Sequence, residues 1–215
     1  MSEEKAREAC HVLGHPILHH NLTRLRDEQT SPVDFRRVME QLSALMAYEI
    51  TRDISVTSRD VKTPLADTAG TVVNDDMVIV SIMRAGNGML DGLLRMLPFS
   101  RVGHIGIYRD KFVRNTVEYY FRLPDEVRGR NILLADPLIA TGDTAVASID
   151  RLKEYEVGRI RFVSLLVSPE GLAKLYEHHP DVEVFALSIE EGLTDAGYIL
   201  PGIGDAGDRL YGTSV

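Results

Sequence analysis

The segment ILLADPLIATGDTAVASID, Ile132 to Asp150, sets a carboxylate, a proline and a glycine between an apolar run and a helical pattern. Ile132 to Ala135 are small or branched apolar residues, suited to a strand covered on both faces, and Asp136-Pro137 should end its ladder because proline has no N–H to donate. Beyond the corner, Ala145, Ile149 and Leu152 fall at i, i+4 and i+7, one face of a helix. A strand-to-helix loop of this kind presents backbone N–H groups and the positive end of a helix dipole to a single anion, so phosphate is the first ligand to consider. Two arginines stand where they would add charge to such a site: Arg84 beside Gly86-Asn87-Gly88, and Arg109 at the end of another apolar segment.

These residues need a scaffold, and alternating patterns supply one. Ser31-Pro32-Val33-Asp34 reads as a helix start, with a capping hydroxyl, proline in the first turn and an acid three residues after the cap. Phe35, Val38, Leu42, Leu45 and Met46 mark its apolar face, to about residue 53. Residues 51–74 are polar and punctuated by proline and glycine, as in an irregular arm or short hairpin. Strands are expected over 77–82, 102–108, 162–167 and 182–187. Helices should carry Met89, Leu93, Leu94 and Leu97, and begin again near Pro169. Val117, Tyr119 and Phe121 alternate with polar or exposed neighbours as in a half-exposed strand, after a polar turn over 110–116. The order predicts an α/β fold with a mostly parallel twisted sheet flanked by helices, as one domain over 1–215 that includes an N-terminal helical segment. In such sheets ligands sit beyond the carboxyl ends of the strands, where Arg84 and Asp136 would gather.

Composition narrows the partners. The net charge is -8, from 32 acidic and 24 basic residues, which argues against broad attachment to nucleic acid or an anionic membrane. No window approaches the ~20 apolar residues of a membrane span. The charged start MSEEKAREAC lacks a secretory apolar run, and the one cysteine, Cys10, cannot close an internal disulfide, so a cytoplasmic setting is expected.

Rival motifs have simpler explanations. Gly86-Asn87-Gly88-Met89-Leu90-Asp91-Gly92 is a loose match to a dinucleotide fingerprint and not at the chain start; tight turning and close helix packing explain its glycines. His15, His19 and His20 lack acidic or cysteine partners at metal-ligand spacing, and His178-His179 stands at a helix end, where a positive imidazole is favourable. The tail from Glu190 to Thr213 holds five glycines between Gly197 and Gly212, beside apolar Tyr198, Ile199, Leu200 and Ile203. Bare backbone with apolar neighbours suits close approach to a flat ligand, the plain alternative being an irregular terminus.

With these segments in view the chain resembles the uracil phosphoribosyltransferases, within the type I phosphoribosyltransferase class. MRAGNGMLDG, RVGHIGIYRD, VEYYFRLP, DPLIATGDTA, SPEGL and GYILPGIGDAGDR follow the family's order, and HPILHHNLTRLRD and AYEITRD are similar to its amino-terminal part. The resemblance implies transfer of a phosphoribosyl group from 5-phosphoribosyl 1-diphosphate to N1 of uracil, giving UMP and diphosphate in pyrimidine salvage, with Mg2+ riding on the diphosphate. It implies that Arg84 and Arg109 contact the donor's phosphates and that Asp136 meets the ribose hydroxyls. Pro137, Leu138 and Ile139 would lead into a wrap of the 5-phosphate by Ala140, Thr141, Gly142, Asp143 and Thr144. A C-terminal hood loop would bind the base: Ile199 and Gly204 read the uracil edge through their backbones, Tyr198 and Ala206 share the loop, and Asp205 acts on the donor side, through magnesium or its waters. The family also includes homo-oligomers and members with a GTP effector; no residue pattern here speaks for either. Other outcomes in view are a phosphoribosyltransferase for another base, and a non-catalytic sensor of the donor or of a nucleotide.

The chain departs from the family pattern at Gly142-Asp143-Thr144, where Gly-Gly-Ser is common, and at Met83 and Asn87, which read as packing changes. Asp143 puts a carboxylate beside the expected phosphate; turned outward, it would instead favour the helix N-terminus.

Overall fold

The computed structural model of the chain describes residues 1–74, 77–109 and 116–213, the side chains of Arg109 and Thr116 excepted. Helix α1 (Glu3–Ala9), strand β1 (His11–Val12), α2 (Pro16–Arg26) and α3 (Pro32–Ile50) lead into a hairpin of β2 (Val56–Lys62) and β3 (Asp67–Val73). Next come β4 (Val78–Met83), α4 (Asn87–Met96), β5 (Arg101–Arg109), β6 (Thr116–Arg122), β7 (Ile132–Ala135), β8 (Leu138–Ile139) and α5 (Asp143–Lys153). The chain continues through β9 (Ile160–Val163), β10 (Leu166–Val167), α6 (Pro169–His178), β11 (Glu183–Ala186) and β12 (Ser188–Ile189). It ends with β13 (Gly192–Leu193), β14 (Ile199–Leu200) and α7 (Ala206–Tyr211).

Seven strands form the main sheet in the order β1-β11-β9-β7-β4-β5-β6. All neighbours are parallel except β5 and β6. From β4 the chain moves one strand outward to β5, then returns to the other side of β4 for β7 and continues away through β9 and β11. The order therefore reverses between β4 and β7, which opens a crevice beyond their carboxyl ends. Arg84 follows β4 directly and Asp136 follows β7 directly.

Both faces of the sheet are covered, which is why the central strands read as continuous apolar runs. Ile79 and Leu133 face a core built from α2, α3, α4 and α7, with Leu22, Phe35, Met39, Leu42, Met89, Leu93 and Leu210. Val78, Val80, Ile82 and Leu134 face the opposite core, with Ala6 of α1, Ala145 and Ile149 of α5, and Leu172 and Leu175 of α6. A side chain the size of Phe35, fully buried, contributes about 1.5–3 kcal/mol. Among the described residues no helix is long and apolar enough to cross a membrane.

Helix α3 starts as its sequence dictates: the Ser31 hydroxyl accepts from Asp34 N–H at 3.2 Å, with Pro32 at the first position. Gly92 lies where α4 crosses α3; a Cβ there would stand 2.2 Å from the Glu40 carbonyl oxygen. Gly92 thus serves helix packing, whereas Gly86 allows the tight turn after β4, where a Cβ would stand 2.4 Å from Ala135 O. Residues 51–74 contain a regular two-stranded arm, exposed along nearly its whole length.

Several expectations need correction. Asp136-Pro137 does not end the extended chain but bends it: β8, β10 and β12 make a second, parallel sheet that continues β7, β9 and β11 after one- or two-residue breaks. The single strand expected over 162–167 is accordingly two. Leu45, placed on the buried stripe of α3, is 39% exposed, and Met39 fills the core instead. Tyr119 is skipped in the β5–β6 register by a bulge at Gly106/Ile107, which turns it outward and breaks the alternation. His15 caps α2, accepting from Ile17 N–H at 3.2 Å, a role its place in the sequence did not suggest. The polar turn expected over 110–116 lies outside the described residues except for Thr116, which begins β6.

Candidate active site

The corner after β7 is anchored through its carbonyls. Pro137 O accepts from Leu165 and Leu166 N–H (3.0 and 3.1 Å), Ile139 O from Ser168 N–H (2.9 Å), and Ala140 O from the Ser168 hydroxyl (2.5 Å). Pro137 and Ile139 are buried and Leu138 half-buried, so these three build the support of the loop rather than its rim. Gly142 then caps α5 at φ +80, a conformation that glycine adopts without cost, and Gly142 O receives Val146 N–H at 2.9 Å. The first N–H groups of any helix lack intrahelical acceptors, so α5 aims positive ends at the crevice between β4 and β7.

Asp143, the departure noted above, is turned toward α6. Its carboxylate accepts from the Thr141 hydroxyl (2.8 Å) and pairs with Lys174 of α6. Lys174 had no signal in the sequence: it lies 31 residues further on and meets Asp143 only because α6 packs beside the loop.

The tail reaches the same crevice. β13 and β14 form a hairpin whose turn approaches the corner; a Cβ on Gly197 would sit 3.6 Å from Thr141 Cγ2. Thr194 N–H donates to Tyr198 O at 2.8 Å, so by antiparallel alternation Leu193 and Ile199 are a non-hydrogen-bonded pair and the Ile199 N–H points off the ladder. Tyr198 and Gly204 are exposed, whereas the Ile199 and Ala206 side chains belong to the core, leaving only their backbones for a ligand. Asp205 caps α7, accepting from Asp208 N–H at 2.9 Å.

Arg84 ties the two parts together. Its Nη2 lies 3.2 Å from Asp208 Oδ1, and its carbonyl accepts from the Tyr211 hydroxyl at 3.1 Å. Gly207 leaves the space between Asp205 and Arg84; a Cβ there would be 3.3 Å from Asp205 Oδ1 and 3.5 Å from Arg84 Nη2. Asp208 went unassigned in the sequence although it stands in GDAGDR. Arg109 closes β5 at the same end of the sheet.

Asp136 is half-buried at the centre of this group. Burial pushes its carboxyl up to about 7; a hydrogen bond from Leu138 N–H opposes the rise and the charge of Asp205 adds to it. Between the ordinary value of 3.8 and about 7, the folded chain keeps a proton that the unfolded chain has lost, so stability falls as pH rises across that window and is level above it. Asp136→Asn is expected to flatten this slope, measured as denaturant midpoints at pH 5 and 8; an unchanged slope in the variant would place its origin elsewhere. His179, expected to favour the charged form, is instead buried at the end of α6 against Val146 O, and burial lowers its pKa despite nearby Asp150.

The family model for uracil phosphoribosyltransferase matches residues 12–213. The chain belongs to the uracil phosphoribosyltransferase family. It is 50% identical over 205 residues to the uracil phosphoribosyltransferase of Myxococcus xanthus, covering 95% of this chain and 97% of that one. It is also 50% identical over 204 residues to that of Rhodococcus jostii, covering 94% and 98%. Among solved structures, the AQ2163 protein of Aquifex aeolicus superposes with a TM-score of 0.90 at 34% identity, over 95% of this chain and 98% of that one. A hypoxanthine-guanine phosphoribosyltransferase of Bacillus anthracis shares the fold alone, with a TM-score of 0.50 at 12% identity over 74% and 80% of the two chains. The uracil phosphoribosyltransferase family is one of pentosyltransferases, and the fold is the type I phosphoribosyltransferase architecture of mostly parallel sheet and flanking helices.

Proposed function

We propose that this chain transfers the phosphoribosyl group of 5-phosphoribosyl 1-diphosphate to N1 of uracil, and that the crevice between β4 and β7 is where it does so. One observation carries the assignment of place: the corner over 136–144, Arg84 and the tail hairpin, far apart in sequence, meet at the point where the strand order reverses. As the bond at ribose C1 breaks, positive charge grows on the sugar and negative charge on the diphosphate. Arg84 and Arg109 stabilise the leaving group, and a neighbouring anion-binding loop over 140–144 holds the 5-phosphate, so that catalysis is positioning and charge stabilisation. Asp136, once ionised, accepts from the ribose hydroxyls. Ile199 and Gly204 offer main-chain groups to the uracil edge, and a base with the wrong donor pattern strands buried polar groups at about 1–3 kcal/mol each.

Mg2+ suits these residues. Asp136 and Asp205 are near enough for one carboxylate to raise the pKa of the other, and magnesium needs only one or two carboxylates when phosphate oxygens and waters complete its shell. Among the described residues no three His, Cys, Asp or Glu side chains form a metal cage, so Asp205, with Asp136 beside it, is the protein's contribution to the ion. When bound, the ion would neutralise charge on the diphosphate.

We extend the proposal to a cytoplasmic homo-oligomer. Val61 and Val72, on one face of the β2–β3 arm, and Leu65 at its tip are exposed, Leu65 by 96%, apolar surface that a second copy would cover. A GTP effector rests on family membership alone, and initial rates with and without GTP test it.

Asp143→Gly is expected to leave kcat within about threefold of wild type, since an ion pair open to solvent on its lysine side contributes little. Lys174→Ala is the opposite case: it takes one positive charge from the side of Asp143 next to the phosphate, and the KM for the donor should rise about tenfold. The double variant should return toward wild type; equal defects in Lys174→Ala and the double variant would contradict this account.

Product analysis with uracil, cytosine, hypoxanthine or orotate, with and without magnesium, tests the function itself. UMP from uracil is the expected product, and donor binding without any nucleotide would mark the chain as a sensor instead.

A further inference from the structure

Beyond the crevice, a buried ion pair grips the loop that carries the base-reading backbone. Glu190 follows β12 and its side chain is 2% exposed. Arg26, the last residue of α2, donates to both of its oxygens, Nη1 to Oε2 at 2.8 Å and Nη2 to Oε1 at 2.7 Å. The same Nη1 donates to Gly202 O at 2.9 Å, and Gly202 N–H donates to Glu190 Oε2 at 3.1 Å. Both polar groups of one peptide position are thereby held by two side chains from distant parts of the sequence. Gly202 is the bend between Ile199 and Gly204: its φ is +63, and a Cβ would fall 2.2 Å from Ile199 O. Arg209 secures the following residue, donating to Ile203 O at 3.0 Å while stacking on Phe35.

A buried pair of this kind is a weak source of stability, because desolvation offsets most of its attraction, and an apolar pair of equal size is often as stable or more so. What an apolar pair cannot do is fix a peptide group in direction. Burial alone would raise the Glu190 carboxyl; the hydrogen bonds from Arg26, Ser188 and Gly202 instead hold it below the usual glutamate value, so it is an anion in the folded chain.

We infer that Arg26 and Glu190 are the positioning pair of the base site, setting through Gly202 the relative placement of the Ile199 and Gly204 backbones and hence acting on uracil rather than on the donor. The inference rests on the proposed uracil transfer, and the amino-terminal helix α2 becomes a working part of the base site.

The test uses the full chain. Wild-type UMP formation is measured first and judges the function alone. Arg26→Met and Glu190→Gln are then compared with wild type. The expected result is a KM for uracil raised about tenfold with the KM for the donor within about threefold. Arg26→Lys, which keeps charge but loses the fork, should fall between. The apolar double variant Arg26→Met/Glu190→Leu separates the roles. It should recover thermal stability while keeping the raised KM for uracil, and its amides over 199–204 should exchange faster with those of β4 unchanged. Recovery of the uracil KM along with stability, equal shifts in both KM values, or unaltered exchange in the loop would each overturn the inference. The exchange measurement stands even if wild type forms no UMP.

Discussion

Replacing Arg84 by alanine is expected to lower kcat/KM for UMP formation by about 10²–10³, the effect of losing one preorganised donor at a site of developing charge. The side chain is 56% exposed and belongs to no core, so the chain should fold as before. Its guanidinium sits at the end of β4, across from the corner after β7, and the one ion pair it makes in the described structure is with Asp208 on α7. That pair is surface-exposed on the arginine side and contributes little to stability, which leaves the cation available for a polyanion entering the crevice. Arg84→Lys keeps the charge without the planar fork and should recover part of the rate. Steady-state kinetics with donor and base varied in turn, beside thermal melts, make the measurement; a loss below tenfold with unchanged melts would remove Arg84 from the leaving-group site.

Gly142→Ala should be the most damaging single methyl in the loop proposed to hold the 5-phosphate. At φ +80 any side chain is strained, and here a Cβ would meet backbone, Gly171 O at 2.8 Å and Gly171 Cα at 3.2 Å. Those atoms cannot swing away, because Gly171 N–H is bonded to the Ser168 hydroxyl and α6 starts there. The loop must shift instead, and with it the N–H groups at the start of α5. Strain of this kind costs of order 1–3 kcal/mol, and the displaced loop should raise the KM for the donor at least about tenfold with little change for uracil. Gly129→Ala is the control: φ is +72 but nothing lies within 4 Å of the added carbon, so it carries the strain without the collision, and it precedes β7 at the amino end of the strand, opposite the crevice. Equal effects of the two substitutions on donor KM would refute the crowding argument.

The parts of this molecule legible in its sequence are those whose signal is local. The cap at Ser31, the runs of β4 and β7 and the corner between β7 and α5 each follow from residues a few positions apart. So does the mostly parallel character of the sheet, since strands alternate with helices over most of the chain. What escaped was set by contact at a distance. The second sheet consists of two-residue strands, too short to show any period. Tyr119 and Leu45 fell off their expected faces because one bulge or one step around a helix moves a side chain by a whole neighbour. His179 was read from helix-dipole logic, while its burial against α5 decides the sign of its pKa shift. The pairings of Lys174 with Asp143 and of Arg26 with Glu190 span 31 and 164 residues, and no pattern of spacing announces them.

The central claim is that the turn after β7 holds a sugar phosphate while the peptide groups of the tail select a pyrimidine. A crystal structure of the chain with uracil, 5-phosphoribosyl 1-diphosphate and magnesium tests it most directly. The 5-phosphate is expected against the N–H groups of residues 140–144 and the uracil edge against the backbone of Ile199 and Gly204. Density for either compound away from these segments, or a turn closed so that no anion enters, would contradict the account.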